Sequence, residues 1–134
     1  MTVLVVDASV VVAVLSDGGP VGQAAADSLA GQELSAPELL PFETANVLRR
    51  LEMAGRLSAE TAALAHSDLL DLPVQLWPYA ALVPGAWRLR GSLTLYDAAY
   101  VALAAQLGVP LVTLDRRLAR GAASECQVVV PDLD

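Results

Sequence analysis

Asp7, Glu43, Asp97 and Asp115 stand apart from the other acids of the chain because each lies where an apolar run meets a turn or a helix start. Asp7 follows the run Val3 to Val6, rich in β-branched residues, and Asp115 follows Leu111 to Leu114. Burying an isolated carboxylate is costly, so an acid at the lip of a buried strand needs a partner or a ligand. Glu43 comes just after Pro41 and Asp97 three residues after Thr94, in the first turns expected for two helices. Side chains in such turns can project over the same edge of a sheet. Four carboxylates with no lysine or histidine near them in sequence are poorly suited to passing a proton between an acid and a base. They are well suited to Mg2+ or Mn2+, hard cations that prefer oxygen ligands and keep part of their water. One or two such ions can activate a water, orient it for in-line attack and stabilise charge on the leaving oxygen, which is the chemistry of phosphodiester hydrolysis. Each acid also has a plainer reading. Asp7, Asp97 and Asp115 can serve as helix caps or first-turn acids, and Glu43 as a solvated helix residue. Spacing along the chain allows the four to converge without requiring it.

The elements that would position these acids alternate. Val3 to Val6 reads as a strand buried on both faces, followed by an apolar helix from Ala8 to Leu15. Asp17-Gly18-Gly19-Pro20 is a turn, and the Ala-rich stretch to Ala30 is a helix stopped by Gly31. Leu34 to Ala36 forms a second strand. Pro41 opens a helix closed by Gly55, Ser58 caps another running to about Leu70, and Val74 to Trp77 is a third strand. Thr94 has the spacing of a capping box, and Gly108 and Pro110 end the helix it opens. Leu111 to Leu114, a short Arg-rich helix and the run Val128 to Val130 complete the chain. Strands alternating with helices predict an α/β fold, a three-layer α/β/α sandwich around a mainly parallel sheet, with ligands gathering at the carboxyl ends of the strands.

Composition narrows the chemistry further. The chain has 134 residues, 55% of them hydrophobic, which fits one domain spanning residues 1–134 and excludes disorder. All eight basic residues are arginine, so chemistry that needs an ammonium is absent: P-loop nucleotide hydrolysis, Schiff-base formation and Ser/Lys hydrolysis. The same lack counts against an aspartyl-nucleophile phosphohydrolase, a rival use for an aspartate at a strand end. Cys126 and His66 are single, which rules out an internal disulfide and a His/Cys zinc site. The apolar start has no basic n-region and is interrupted by Asp7, and no run approaches the ~20 apolar residues of a membrane span. A cytoplasmic protein without a membrane partner is expected. A net charge of −7 argues on its face against nucleic acid.

Read in order, Val6-Asp7-Ala8-Ser9, Phe42-Glu43-Thr44-Ala45-Asn46-Val47-Leu48, Tyr96-Asp97-Ala98-Ala99-Tyr100 and Thr113-Leu114-Asp115 resemble the four acidic motifs of PIN-domain nucleases. In its short form the chain is similar to the VapC toxins of bacterial toxin–antitoxin pairs. The resemblance implies a PIN-like α/β/α domain and an endoribonuclease that cuts RNA with Mg2+ or Mn2+. It also implies a homodimer neutralised by a VapB-type antitoxin whose tail covers the active site, with promoter DNA bound only through that antitoxin. Asp7, Glu43, Asp97 and Asp115 match the catalytic, metal-binding quartet. Ser9 and Thr113 match the small hydroxyl positions beside the first and last acids, where a side-chain oxygen can orient a carboxylate. Glu38 competes with Glu43 but lacks the Asn-Val-Leu sequence that follows it. A non-catalytic or regulatory RNA-binding subunit of the same fold is the alternative.

The remaining polar and aromatic residues divide into neighbours of the site and scaffold. Asn46, one turn from Glu43, either orients it or faces water. Every arginine neighbours a motif acid in sequence, and Arg116 and Arg117 are the first candidates for RNA phosphate contacts. Tyr96, Tyr100, Trp77 and Trp87 are read as core or interface anchors rather than base-stacking platforms, because so few aromatics must also fill the core. His66 and Cys126 are read as structural. The apolar excess predicts a surface covered by another chain.

Overall fold

The computed structural model describes residues 2–131. Its strands are β1 (Val3–Val6), β2 (Glu33–Pro37), β3 (Val74–Trp77), β4 (Leu111–Val112) and β5 (Val128–Val129). They form one parallel sheet in the order β3-β2-β1-β4-β5. The helices are α1 (Ala8–Ser16), α2 (Pro20–Leu29), α3 (Leu40–Met53), α4 (Ala59–Asp71), α5 (Val83–Arg88), α6 (Leu95–Leu107) and α7 (Arg116–Ala122). From β1 the chain steps outward through β2 to β3, then crosses to β4 and β5 on the other side of β1. Right-handed crossovers therefore place α1 to α4 on one face and α5 to α7 on the other, giving the three layers expected. The packing agrees: α1 lies against α2, α3 and α4, while α6 lies against α5, β1, β2 and β4. The strand order reverses between β1 and β4, and ligands of such sheets collect in the crevice at that point.

Two central elements are apolar all round because both of their sides are covered. Val5 and Val6 of β1 are fully buried, as a strand with helices on both faces requires. Every residue of α6 from Ala98 to Ala104 is buried, and the helix is rich in alanine, which lets it lie close on the sheet. Gly108, at φ +67°, closes α6 in the left-handed conformation that glycine adopts without strain.

Several boundaries differ from the sequence reading. β4 stops at Val112 rather than Leu114: the Thr113 N–H still reaches the Val129 carbonyl at 3.0 Å, but its side chain has turned to Asp7. β2 runs through Pro37, which is tolerated because pairing with β1 ends at Ser35 and no partner there needs the missing N–H. The sequence reading assigns no element to residues 78–93. They form a 3-10 turn (Tyr79–Ala81) and α5, a helix of six residues that contains Pro84 and Gly85 and so leaves no periodic signal. Gly85 packs closely on α6, where a Cβ would stand 3.2 Å from the Ala102 Cβ, tighter than ordinary van der Waals contact. Among the described residues no helix is long and apolar enough to cross a membrane.

Candidate active site

Asp7 leaves the end of β1 and caps α1, as its plain reading expects. Its Oδ1 accepts the Val10 N–H at 3.2 Å and the Ser9 hydroxyl at 2.6 Å, and its Oδ2 accepts the Thr113 hydroxyl at 2.6 Å. The two hydroxyls also accept. Ser9 Oγ takes the Leu114 N–H and Thr113 Oγ1 the Asp115 N–H, each at 2.9 Å. Ser9 and Thr113 thereby stitch the end of β1 to the end of β4 and aim the Asp7 carboxylate between them. Asp115 caps α7, its Oδ1 accepting the Arg117 and Leu118 N–H groups at 2.9 and 3.1 Å. Asp97 stands in the first turn of α6, where its N–H donates to Thr94 Oγ1 at 3.2 Å. Glu43 comes from the first turn of α3 and accepts the Tyr100 hydroxyl at 2.7 Å.

Electrostatics shows how near the acids are to one another. Burial pushes the Asp7 carboxyl above its ordinary range, opposed by its hydrogen bonds and reinforced by Asp115. Burial also raises Glu43, opposed by the Tyr100 hydroxyl and reinforced by Asp97 and Asp7. The Tyr100 phenol is pushed far above its usual value, first by burial and then by Glu43. Arg117 relieves part of this crowding: its Nη2 lies 2.9 Å from Asp97 Oδ2 and 3.3 Å from Asp115 Oδ2. The four acids expected from sequence thus meet at the reversal point of the sheet, each delivered by a different segment.

As arranged around Arg117, no three acidic, histidine or cysteine side chains among the described residues surround a single cation position. The donor set nevertheless fits a hard divalent cation. It consists of carboxylate oxygens, it carries excess negative charge at partly buried positions, and Glu43 keeps Oε2 free of protein hydrogen bonds among the described residues. Arg117, 62% exposed on a long stem, is the group that must move to open Asp97 and Asp115 to an ion.

Some expectations need correction. Asn46 is exposed on α3 and makes no hydrogen bond to Glu43; the orienting group is Tyr100, across the sheet edge on α6. Tyr100 was legible only as a buried anchor, although a tyrosine inside an Ala/Val/Leu run must find a partner for its hydroxyl. Arg117 does not stand free for phosphate but is held by two carboxylates, because the acidic crevice attracts the nearest guanidinium. Arg116 is exposed and has no ion pair among the described residues. Tyr96 and Trp87 are not core residues, being 67% and 54% exposed. Glu38 lies outside the acid cluster and accepts the Tyr79 N–H at 3.3 Å.

A parallel sheet wound in both directions, with four carboxylates at its reversal point, defines an α/β domain built around an acidic crevice. The sequence profile of the PIN domain matches residues 4–123. The VapC ribonuclease Mb0985 of Mycobacterium bovis is 37% identical over 127 residues, covering 95% of this chain and 97% of that protein. Among solved structures, PAE2754 from Pyrobaculum aerophilum superposes with a TM-score of 0.67 at 25% identity, covering 96% of this chain and 92% of that one. VapBC2 from Rickettsia felis, solved with a DNA fragment from its promoter, has a chain of the same fold, with a TM-score of 0.69 at 11% identity over 97% of this chain and 99% of its own. The chain belongs to the PIN domain family, alongside the VapC ribonucleases.

Proposed function

We propose that the chain is a VapC-type toxin, a divalent-metal-dependent endoribonuclease that hydrolyses RNA phosphodiester bonds with Asp7, Glu43, Asp97 and Asp115 as its catalytic carboxylates. The observation that carries this reading is their convergence at the β1/β4 crevice, each acid fixed by its own segment. Asp7, Glu43, Asp97 and Asp115 would hold Mg2+ or Mn2+, which when bound would lower the pKa of a water nucleophile and stabilise charge on the leaving oxygen. The chain's own part is to hold the ligands rigid. Ser9 and Thr113 fix the Asp7 carboxylate, Tyr100 fixes Glu43, and Thr94 sets the turn that carries Asp97. Arg117 neutralises Asp97 and Asp115 in the metal-free chain, and Arg116, exposed beside them on α7, is assigned to RNA phosphate.

Neutralisation by a VapB-type antitoxin, homodimer formation, promoter binding through that antitoxin and a cytoplasmic site of action belong to the same reading. The similarity to a VapC ribonuclease supports it, as do apolar side chains left open on α3 and α4, where Met53, Leu64 and Leu70 are each more than 60% exposed. Cleavage of a labelled single-stranded RNA is expected with Mg2+ or Mn2+, to stop with EDTA and to fall at least 100-fold in Asp97→Asn. Full activity in EDTA or in Asp97→Asn would remove the metal-site reading, and RNA binding without cleavage would favour a regulatory subunit.

A further inference from the structure

The chain has six aromatic residues, and four of them, Phe42, Trp77, Tyr79 and Tyr96, line one cleft of about 370 Å³ with an apolar floor. That volume lies at the small end of the range for sites that take small molecules, ~300–1,000 Å³. Of its aromatic walls the two most exposed are Phe42, at 79%, and Tyr96, at 67%, and the exposed Glu38 is the one carboxylate that lines it. Phe42 and Tyr96 directly precede Glu43 and Asp97 in the first turns of α3 and α6, so the cleft shares with the crevice the two helix starts that carry those acids, although none of the four acids lines it. Phe42 also borders a second, shallower concavity on its other side, lined by Asn46, Arg49 and His66. No carboxylate lines that concavity, and Arg49 has no ion pair among the described residues. In a chain of net charge −7, aromatic faces next to an unpaired guanidinium are the pairing that single-stranded nucleic acid uses, with bases on π-faces and phosphates on cations.

We propose that the RNA runs from the acidic crevice over Phe42, with the nucleobase beside the scissile phosphate stacked in the aromatic cleft and a neighbouring phosphate on Arg49 and His66. The proposal rests on the nuclease reading and adds a path and the residues that hold the RNA along it. Phe42 and Tyr96 act by stacking and discriminate a base from its absence. Arg49 acts on the backbone and is indifferent to sequence. Asn46, with no partner at Glu43, faces the same strand, where its amide can meet sugar or phosphate oxygens.

The test uses the full chain carrying Asp97→Asn, so that the RNA survives, with Mn2+ present. The probes are a fluorescein-labelled oligoadenylate and an abasic oligonucleotide of the same length, followed by anisotropy. Phe42→Ala and Tyr96→Ala are each expected to weaken oligoadenylate binding by about tenfold and to leave the abasic probe unchanged. Phe42→Tyr, which keeps the π-face, is expected to restore binding. Arg49→Gln should weaken both probes alike and reduce the slope of log K against log salt by about 0.7. Both aromatic side chains are largely solvent-exposed, so thermal melts of the variants should match the parent. Unchanged preference for oligoadenylate over the abasic probe in Phe42→Ala and Tyr96→Ala overturns the stacking path and leaves the cleft to a protein partner. An unchanged salt slope in Arg49→Gln overturns the phosphate contact. If the chain with Asp97 intact cleaves RNA while these variants bind as their parent does, the nuclease reading stands and the path falls. If it neither binds nor cleaves RNA, both fall.

Discussion

Ser9, Thr113 and Tyr100 carry hydroxyls that the crevice cannot lose without leaving a carboxylate unsupported. Ser9 and Thr113 each donate to Asp7 and accept a backbone N–H from the β4–α7 turn, so one pair of side chains sets the acid and the loop together. Tyr100 is buried with its ring in the core and its hydroxyl on Glu43, which makes it a positioning residue. Tyr100→Phe keeps the core volume and removes only that donor. The variant is expected to lose about 1 kcal/mol in denaturant unfolding and to bind Mn2+ more weakly in calorimetric titration, because Glu43 is no longer held. Wild-type Mn2+ affinity in Tyr100→Phe would show that Glu43 is positioned by other contacts.

At the level of elements, the site depends on how two helices begin. Glu43 and Asp97 occupy first turns, where the helix dipole favours a carboxylate, and at α6 the Thr94 cap fixes the turn that carries Asp97. Thr94 is the cap for Asp97, and the capping-box spacing made this visible in the sequence. Thr94→Ala is expected to cost about 1 kcal/mol of stability and to lower RNA cleavage through kcat rather than KM, since the first turn that carries Asp97 loosens. A fall in stability with cleavage unchanged would limit Thr94 to a structural role. The helix starts at Ser58 and Thr94 and the stop at Gly108 were readable because each has a local physical cause, a hydroxyl for an orphan N–H or a left-handed glycine. Residues 78–93 were not readable, because α5 is too short to show a period and is held by its contact with α6 rather than by local preference.

For the molecule as a whole, the acidic balance is partly a property of the metal-free state. Asp7 and Glu43 have carboxyl groups raised above their ordinary values of 3.8 and 4.5, so the folded chain holds their protons more tightly than the unfolded chain does. Their contribution to stability is full below the unfolded values and is lost as pH rises through the raised folded ones. In EDTA, the thermal midpoint is therefore expected to fall as pH rises above the ordinary carboxyl range, and added Mn2+ should raise it more at the higher pH, where ionised carboxylates are favoured. Binding to the folded chain alone stabilises it by about 2.7 kcal/mol at a hundredfold excess over Kd. A midpoint that rises with pH in EDTA would show that burial and carboxylate crowding do not raise these groups as inferred.

Local order in this chain is written in short-range causes: β-branched runs for strands covered on both faces, caps and glycines for helix ends, and four acids at the junctions of these elements. From those causes the α/β alternation, a mainly parallel sheet and four candidate acids follow without coordinates, but not the meeting of those acids. Contacts between distant segments do not follow, because they depend on which strand ends become neighbours. Only when β4 lies beside β1 does Thr113 reach Asp7, and only when α6 crosses the sheet does Tyr100 reach Glu43. Arg117 could be read as a free cation until folding brought Asp97 within 2.9 Å of it. Four aromatics scattered from residue 42 to residue 96 became one cleft for the same reason: side-chain chemistry is local, and neighbourhood is set by the order in which the strands pair.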